Sequence, residues 1–346
     1  MSKKYFKLTV SILSFFVVVL LGYILYNYFS ARVVWMSGDN TGVTEKRFIY
    51  FSQLSGIGVE DQADVAPPVV GVMIDNHPDA YPQLGLSQAP VVYEVPVEGG
   101  MTRFMAIYPG RNFLVEKVGP VRSARPYFLD WLAEYGDALY MHSGGSPEAL
   151  DLIKERKVFD ANEFWWGEYY WRADDRGAPH NLFTSSSNWS GIIQETSAKH
   201  PLVAWQGWNY SNTEITTNTQ PVRGVNINYA SNYKVNWVWD ASQHGFVRSI
   251  NGSIVKVEGE VLSQNVIIQY VSVRSLDEVD RKKITTVGSG EARVLRDGVL
   301  IRGSWKKDDL SSRTRFYDEN NQEISLKPGT TWIQIVPKDA TVEVTS

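Results

Sequence analysis

At 346 residues the chain is too long for one small core and suits an anchor plus two domains; its formal charge of −4, with no concentrated run of Lys and Arg, points away from nucleic acid. The absence of cysteine excludes disulfides, thiolate metal sites, a cysteine nucleophile and a lipid-modified N-terminal cysteine, so any membrane attachment must come from the peptide itself. The 12 Trp and 18 Tyr supply large surfaces with a polar tip, suited to strands and to carbohydrate or interface contacts.

Residues 1–7 carry Lys3, Lys4 and Lys7, and 8–29 (LTVSILSFFVVVLLGYILYNYF) form an almost uninterrupted apolar run of about the length a helix needs to cross a bilayer. Arg32 is the one basic residue close behind, so the positive-inside bias leaves residues 1–7 as a cytoplasmic tail and everything beyond residue 30 outside. A cleaved signal peptide is the competing reading. Tyr26, Asn27, Tyr28 and Phe29 stand where a cleavage site needs small residues and resemble an interfacial aromatic belt, which favours a retained single-pass anchor.

Residues 30–67 mix Gly, Ser and Asp without a sustained period and read as a stalk or linker. The folded part then begins with Val69 to Ile74 (VVGVMI), a buried strand closed by Asp75-Asn76-His77-Pro78. Val91 to Val97 and Arg103 to Tyr108 predict two more strands around Gly99-Gly100. Pro126 to Tyr135 has Phe128, Trp131, Leu132 and Tyr135 at helical spacing, with Ser123 placed to cap it, and Pro147 to Glu155 predicts a second helix. With a strand around Leu139 to Met141 between them, the alternation predicts an α/β domain over 68–210.

From residue 216 to 346 the pattern changes to short strands: Tyr233 to Trp239, Asn265 to Val273, Ala292 to Ile301 and Thr331 to Val336, with hairpin turns at Asn251-Gly252 and Asp297-Gly298. This predicts a smaller, antiparallel, mostly-β domain. Its glycine-rich 287–291 lacks the spacing of a dinucleotide site, and Trp305, Phe316, Tyr317 and Trp332 read as core.

Polar chemistry concentrates at predicted strand ends of the first domain, where ligands of open α/β sheets bind. Arg122 and Arg125 flank small residues just before a helix, a pattern suited to phosphate or carboxylate, with Arg103 nearby; pairing with Glu94, Glu98 or Asp130 is the alternative. Glu94 and Glu98, four apart, would share one strand face and could act as a base. Asp75 and His142 complete the candidate catalytic groups, while Asn76, Thr102, Ser123, Gly144, Gly145, Ser146, Arg172 and His180 join the three arginines as candidate ligand-binding groups. His77, His142 and His180 could converge with Asp75, but no H-x-H or H-E-x-x-H spacing supports a metal, and none is expected. His142-Ser143-Gly144-Gly145-Ser146 departs from the nucleophile elbow and fits a turn with Ser146 as helix cap.

The stretches GVMIDNHPDAYPQLGLSQAPVVYEVPVEGGMTRFMAIY, VGPVRSARPYFLDWLAEYGDALYMHSGGSP, VGSGEARVLRDGVLIRGSW and RTRFYDENNQEISLKPGTTWIQIVP resemble the YerB-like family, bacterial envelope proteins with a two-part domain of unknown function. The resemblance runs from about residue 68 to the end and implies an α/β part followed by a mostly-β part, with no established activity. Family members are often lipoproteins, whereas this chain lacks the cysteine and has a longer apolar segment.

The sequence therefore predicts a membrane-anchored extracytoplasmic protein that binds an anionic envelope ligand, a polyprenyl phosphate or phosphate-bearing wall polymer, through an Arg-rich cleft. Two alternatives stand beside it: a scaffold recruiting an envelope protein or glycan, and a hydrolase or transferase. No complete catalytic constellation is visible, and no cofactor is expected apart from Mg²⁺ as helper in the hydrolase version.

Overall fold

The computed structural model describes residues 48–215, 218–253 and 260–345. The expected tail 1–7, anchor 8–29 and the stalk as far as residue 47 lie outside the described residues, among which no helix is long and apolar enough to cross a membrane.

Strands β1 (Val69–Ile74), β2 (Val91–Pro96) and β3 (Thr102–Pro109) form at the three predicted apolar runs. Helix α1 (Pro126–Leu132), extended by a 3₁₀ turn to Tyr135, is followed by β4 (Leu139–His142), α2 (Pro147–Glu155) and β5 (Asp160–Asn162). Ser146 caps α2 as expected, its Oγ accepting from the Ala149 N–H at 3.3 Å, but the residue preceding α1 is Arg125 and Ser123 does not cap it. Helix α3 (Ser186–Thr196), absent from the sequence reading, starts at Ser185, whose Oγ accepts from the Asn188 N–H, and buries Trp189 and Ile192.

The two larger sheets are completed by strands β6 (Thr219–Pro221), β7 (Gly224–Ala230), β8 (Tyr233–Asp240), β9 (Gly245–Ile250), β10 (Leu262–Ser263), β11 (Asn265–Val271), β12 (Gly288–Arg296), β13 (Val299–Lys307), β14 (Arg315–Asp318), β15 (Thr331–Pro337) and β16 (Val342–Thr345). The β12–β13 hairpin turns at Asp297-Gly298, both with positive φ, which is what its two-residue loop requires.

An 11-stranded sheet runs in the order β6-β13-β12-β11-β15-β2-β3-β1-β4-β5, with β14 beside β13. The predicted α/β part and the predicted antiparallel part meet inside it. Strand β15 lies parallel to both β11 and β2, in register Thr331 to Val91 through Gln334 to Glu94, so it belongs to no purely antiparallel domain. The reason is local: β11 is buried at all positions and β15 at all but its last, and strands with two apolar faces need cover on both sides. Strands β10-β9-β8-β7-β16 make a separate, five-stranded antiparallel sheet.

Alternation along the central strands sorts their side chains to two cores. Val70, Val72, Ile74, Phe104, Ile268 and Trp332 face one core, closed by α3 and by Val225, Val235, Trp237 and Phe246 of the five-stranded sheet. Met73, Tyr93, Met105, Ile267 and Ile333 face the other, closed by Phe128 and Trp131 of α1 and Ala149 and Ile153 of α2. The fold is thus mostly β with few helices.

Residues 48–67 are not a stalk. Leu54 is fully buried in the second core, its carbonyl accepts from the Tyr210 hydroxyl at 2.6 Å, and the Pro67 carbonyl accepts from Trp205 Nε1 at 3.1 Å. Leu54→Ala should therefore lower the unfolding free energy of the full chain by about 2–5 kcal/mol in urea denaturation, whereas a stalk residue would change it by under about 0.5 kcal/mol.

Candidate functional site

Strands β1, β4 and β5 run parallel, and their C-terminal ends deliver Asp75, His142 and Asn162-Glu163 to one edge. The segment 118–125 crosses this edge, pinned by hydrogen bonds from Asp75 N to Pro120 O (2.9 Å), Arg122 N to Met73 O (2.9 Å) and Ser143 N to Arg122 O (3.1 Å). It brings Arg122 over Asp75.

The Asp75 carboxylate is buried, and one oxygen serves two cations or donors. Its Oδ2 lies 2.7 Å from His180 Nδ1 and 3.0 Å from Arg122 Nε, the latter a charge contact without hydrogen-bond alignment. No hydrogen bond among the described residues engages the Arg122 Nη groups. The His77 ring stacks on His180 with centroids 4.6 Å apart and planes 17° apart.

From His180 a polar circuit runs around the edge. Asn181 Oδ1 accepts from Arg172 Nη1 (3.0 Å), Arg172 Nη2 donates to Glu163 Oε1 (2.9 Å), and Glu163 Oε2 accepts from Ser143 Oγ (2.9 Å). Phe164 and Trp165, 70% and 79% exposed, follow Glu163 directly, and Trp171 precedes Arg172. The Phe164 ring lies over Gly144, where an added Cβ would meet it at 3.0 Å.

Several candidates have other employment. His142 is fully buried, with Nδ1 2.7 Å from Gly144 O and Nε2 2.7 Å from Asp160 Oδ1, so it holds its loop together and offers no nitrogen as a base. Arg125 is consumed by Glu98, through bonds of 2.6 and 2.9 Å, and by the Ala124 carbonyl. Arg103 is buried and donates to the Ser123 carbonyl; burial, then the neighbouring Arg125 charge, lowers its pKa to about 10. Ser123 therefore contributes backbone, Ser146 caps a helix, and Gly145 packs against Ala124 and Leu150. Glu98 sits in a 3₁₀ turn beyond the strand, so it does not share a strand face with Glu94. Burial raises the Glu98 pKa, but the Arg125 contacts, a backbone hydrogen bond and the Arg103 charge together lower it by more, and the carboxyl titrates below its ordinary range. The expected cleft of three arginines is thus reduced to Arg122 at this edge, with Arg172 on its far side.

Glu94, fully buried, is likewise no free base. Its Oε1 accepts from Thr102 Oγ1 (2.8 Å), the Tyr233 hydroxyl (2.6 Å) and Arg248 Nη2 (3.0 Å), and its Oε2 from Arg248 Nη2 (2.9 Å) and Gln334 Nε2 (3.1 Å). Burial opposes the Arg248 charge, but Glu94 and Tyr233 outweigh it and raise the Arg248 pKa. Asn76 joins this network to the polar edge: its Nδ2 donates to Thr102 Oγ1 and to the Tyr233 hydroxyl at 2.6 Å, and its Oδ1 accepts from Tyr81 and Gln83. Burial pushes the Tyr81 hydroxyl up to about 12, which keeps it a donor at neutral pH.

Comparison with known proteins agrees with this architecture. The N-terminal domain described as "Protein of unknown function (DUF3048)" matches residues 54–199, and the corresponding C-terminal domain matches 225–333. The chain belongs to the DUF3048 family. It is 31% identical over 296 residues to "Putative lipoprotein YerB" of Bacillus subtilis (strain 168), covering 82% of this chain and 85% of that one. The crystal structure of YerB protein from Bacillus subtilis superposes with a TM-score of 0.73 at 28% identity, covering 85% of this chain and 99% of that chain.

Sequence reasoning missed Arg248, Tyr233 and Gln334, which lie on β9, β8 and β15 respectively and meet Glu94 only in the fold. It also passed over Phe164-Trp165, although two aromatics following Asn162-Glu163 at a strand end were a visible signal. Within this DUF3048 fold, Arg248→Met strands a buried carboxylate and should cost about 3–5 kcal/mol in chemical denaturation, while adding Glu94→Leu to it should recover most of that loss.

Proposed function

We propose that the chain, held at the outer face of a cytoplasmic membrane by residues 8–29, binds a phosphate-bearing wall polymer across the edge formed by Asp75, Arg122, His180 and Arg172. The observation that carries this reading is the shared Asp75 oxygen, which orients Arg122 and His180 together and leaves the outer part of the guanidinium for an anion. The exposed Phe164, Trp165 and Trp171 rings flank the same edge and supply apolar faces suited to sugar rings. A polymer of alternating sugar or polyol and phosphate needs both kinds of contact; a lipid phosphate alone needs only the first.

The relative named as a lipoprotein favours membrane attachment for this chain too. With no cysteine to carry a lipid, the apolar segment 8–29 is the group that would replace it. Of the two family segments, 54–199 and 225–333, the first contains the whole polar edge.

Arg122→Ala should weaken binding of the full chain to a soluble poly(glycerol phosphate), measured by calorimetry, by about ten- to a hundredfold, since a hydrogen bond to a charged group contributes about 1.5–3 kcal/mol. Arg125→Ala, already bound to Glu98, should leave that affinity unchanged, and Trp165→Ala should reduce it. Equal losses at Arg122 and Arg125, or no loss at Arg122, would remove the basis for this reading.

A further inference from the structure

We infer that His77, Asp79 and His180 form a binding site for one divalent transition-metal ion of the zinc type, with Asp75 fixing His180 from behind. One ligand atom from each of the three residues lies within 4.8 Å of the other two. His77 and Asp79 come from the turn after β1 and His180 from the loop before α3, so the cluster exists only in the folded chain.

The protonation of each imidazole suits ligation. His180 Nδ1 lies 2.7 Å from the Asp75 carboxylate, which holds the proton on Nδ1 and leaves the Nε2 lone pair for a metal. A carboxylate behind a ligating histidine both orients the ring and raises its basicity. His77 Nδ1 accepts a long hydrogen bond, 3.2 Å, from the Asp79 N–H, so this nitrogen carries the lone pair and Nε2 the proton, and a metal ion taking that lone pair would replace this one long bond. The same Nδ1 lies 3.5 Å from Asp79 Oδ2, close to the spacing of about 3.3 Å between neighbouring ligands of a tetrahedral ion with bonds of about 2.0 Å. Stacking at 4.6 Å aligns the two rings.

Closing the remaining distance falls to the more exposed side chains. The Asp79 side chain is 74% exposed and that of His77 37%, whereas His180, the fixed partner, is 14% exposed. Two imidazole nitrogens and one carboxylate oxygen match zinc and its neighbours; Mg²⁺ and Ca²⁺ prefer all-oxygen sets. Three protein ligands leave a fourth position, and Arg122 reaches the same Asp75 oxygen that holds His180. An anion entering that position would meet the metal and the guanidinium together, so in this respect the inference deepens the wall-polymer reading; metal binding itself does not depend on it.

The test uses the full chain, freed of metal by chelator, titrated with Zn²⁺ by calorimetry and with Co²⁺ by visible absorption. The wild type should bind one equivalent, with Co²⁺ bands of a tetrahedral or five-coordinate site. His77→Gln and His180→Gln should each weaken binding at least about tenfold, and Asp75→Asn about ten- to a hundredfold through lost orientation. His200→Gln, remote and paired with Asp137, should bind as the wild type does. Unfolding midpoints measured without metal check that each variant is folded. Stoichiometric binding that survives in a folded His77→Gln/His180→Gln double variant, or no binding by the wild type, overturns the site. Because no polymer is present, its failure is separate from failure of polymer binding.

Discussion

The buried ion pair between Glu94 and Arg248 is the interaction on which the arrangement of this protein turns. Glu94 projects from β2 toward the five-stranded sheet, and Arg248 answers it from β9. Either charge alone in that interior would be expensive. Together they are satisfied only when Tyr233, Thr102 and Gln334 also close on the carboxylate, and Phe104 and Trp332 pack beside the guanidinium at 5.4 and 5.0 Å. A pair so enclosed adds little net stability but admits few other dockings of one sheet on the other. A second buried cluster works on the opposite face: Glu134, after α1, takes Lys307 Nζ at 2.8 Å and Arg313 at 3.4 Å from the second half of the chain. Burial, with the neighbouring Arg313 charge, lowers the Lys307 pKa, and the Glu134 contacts, joined by the Asp130 charge, oppose that without cancelling it.

The candidate site inherits its geometry from this interior. Asn76 donates into the Glu94 network, and the residue before it is Asp75. With the chain fixed there as it leaves β1, the Asp75 carboxylate points at the crossing segment and at the loop carrying His180. Arg122 and His180, 58 positions apart, meet at one oxygen because two separate loops are pinned to the same strand end. The chemistry of the edge is therefore set from behind, by groups that are buried or half-buried.

Local pattern made much of the fold legible. The run VVGVMI closed by Asp75-Asn76 fixed β1 at its observed ends, Pro147 after Ser146 located α2, and Asp297-Gly298 located the hairpin. What local pattern does not carry is the partner of a strand. Thr331–Pro337 pairs with Val91–Pro96 across some 240 positions, so two apparent domains share a sheet. The same limit governs the charges: Glu94 and Arg122 look alike beside glycines and strand ends, yet one is enclosed by partners 139 to 240 residues away and the other faces outward. Arg125 pairs with Glu98, 27 residues away, an alternative that sequence could name but not choose.

Native-state hydrogen exchange in increasing denaturant, read by mass spectrometry, most directly tests whether the two family segments form one body joined by buried charge. Peptides from β2 and β3 and peptides from β8 and β9 should share one opening free energy and lose protection together. A five-stranded sheet that opens at a clearly lower free energy, with β2 and β3 still protected, would contradict the account.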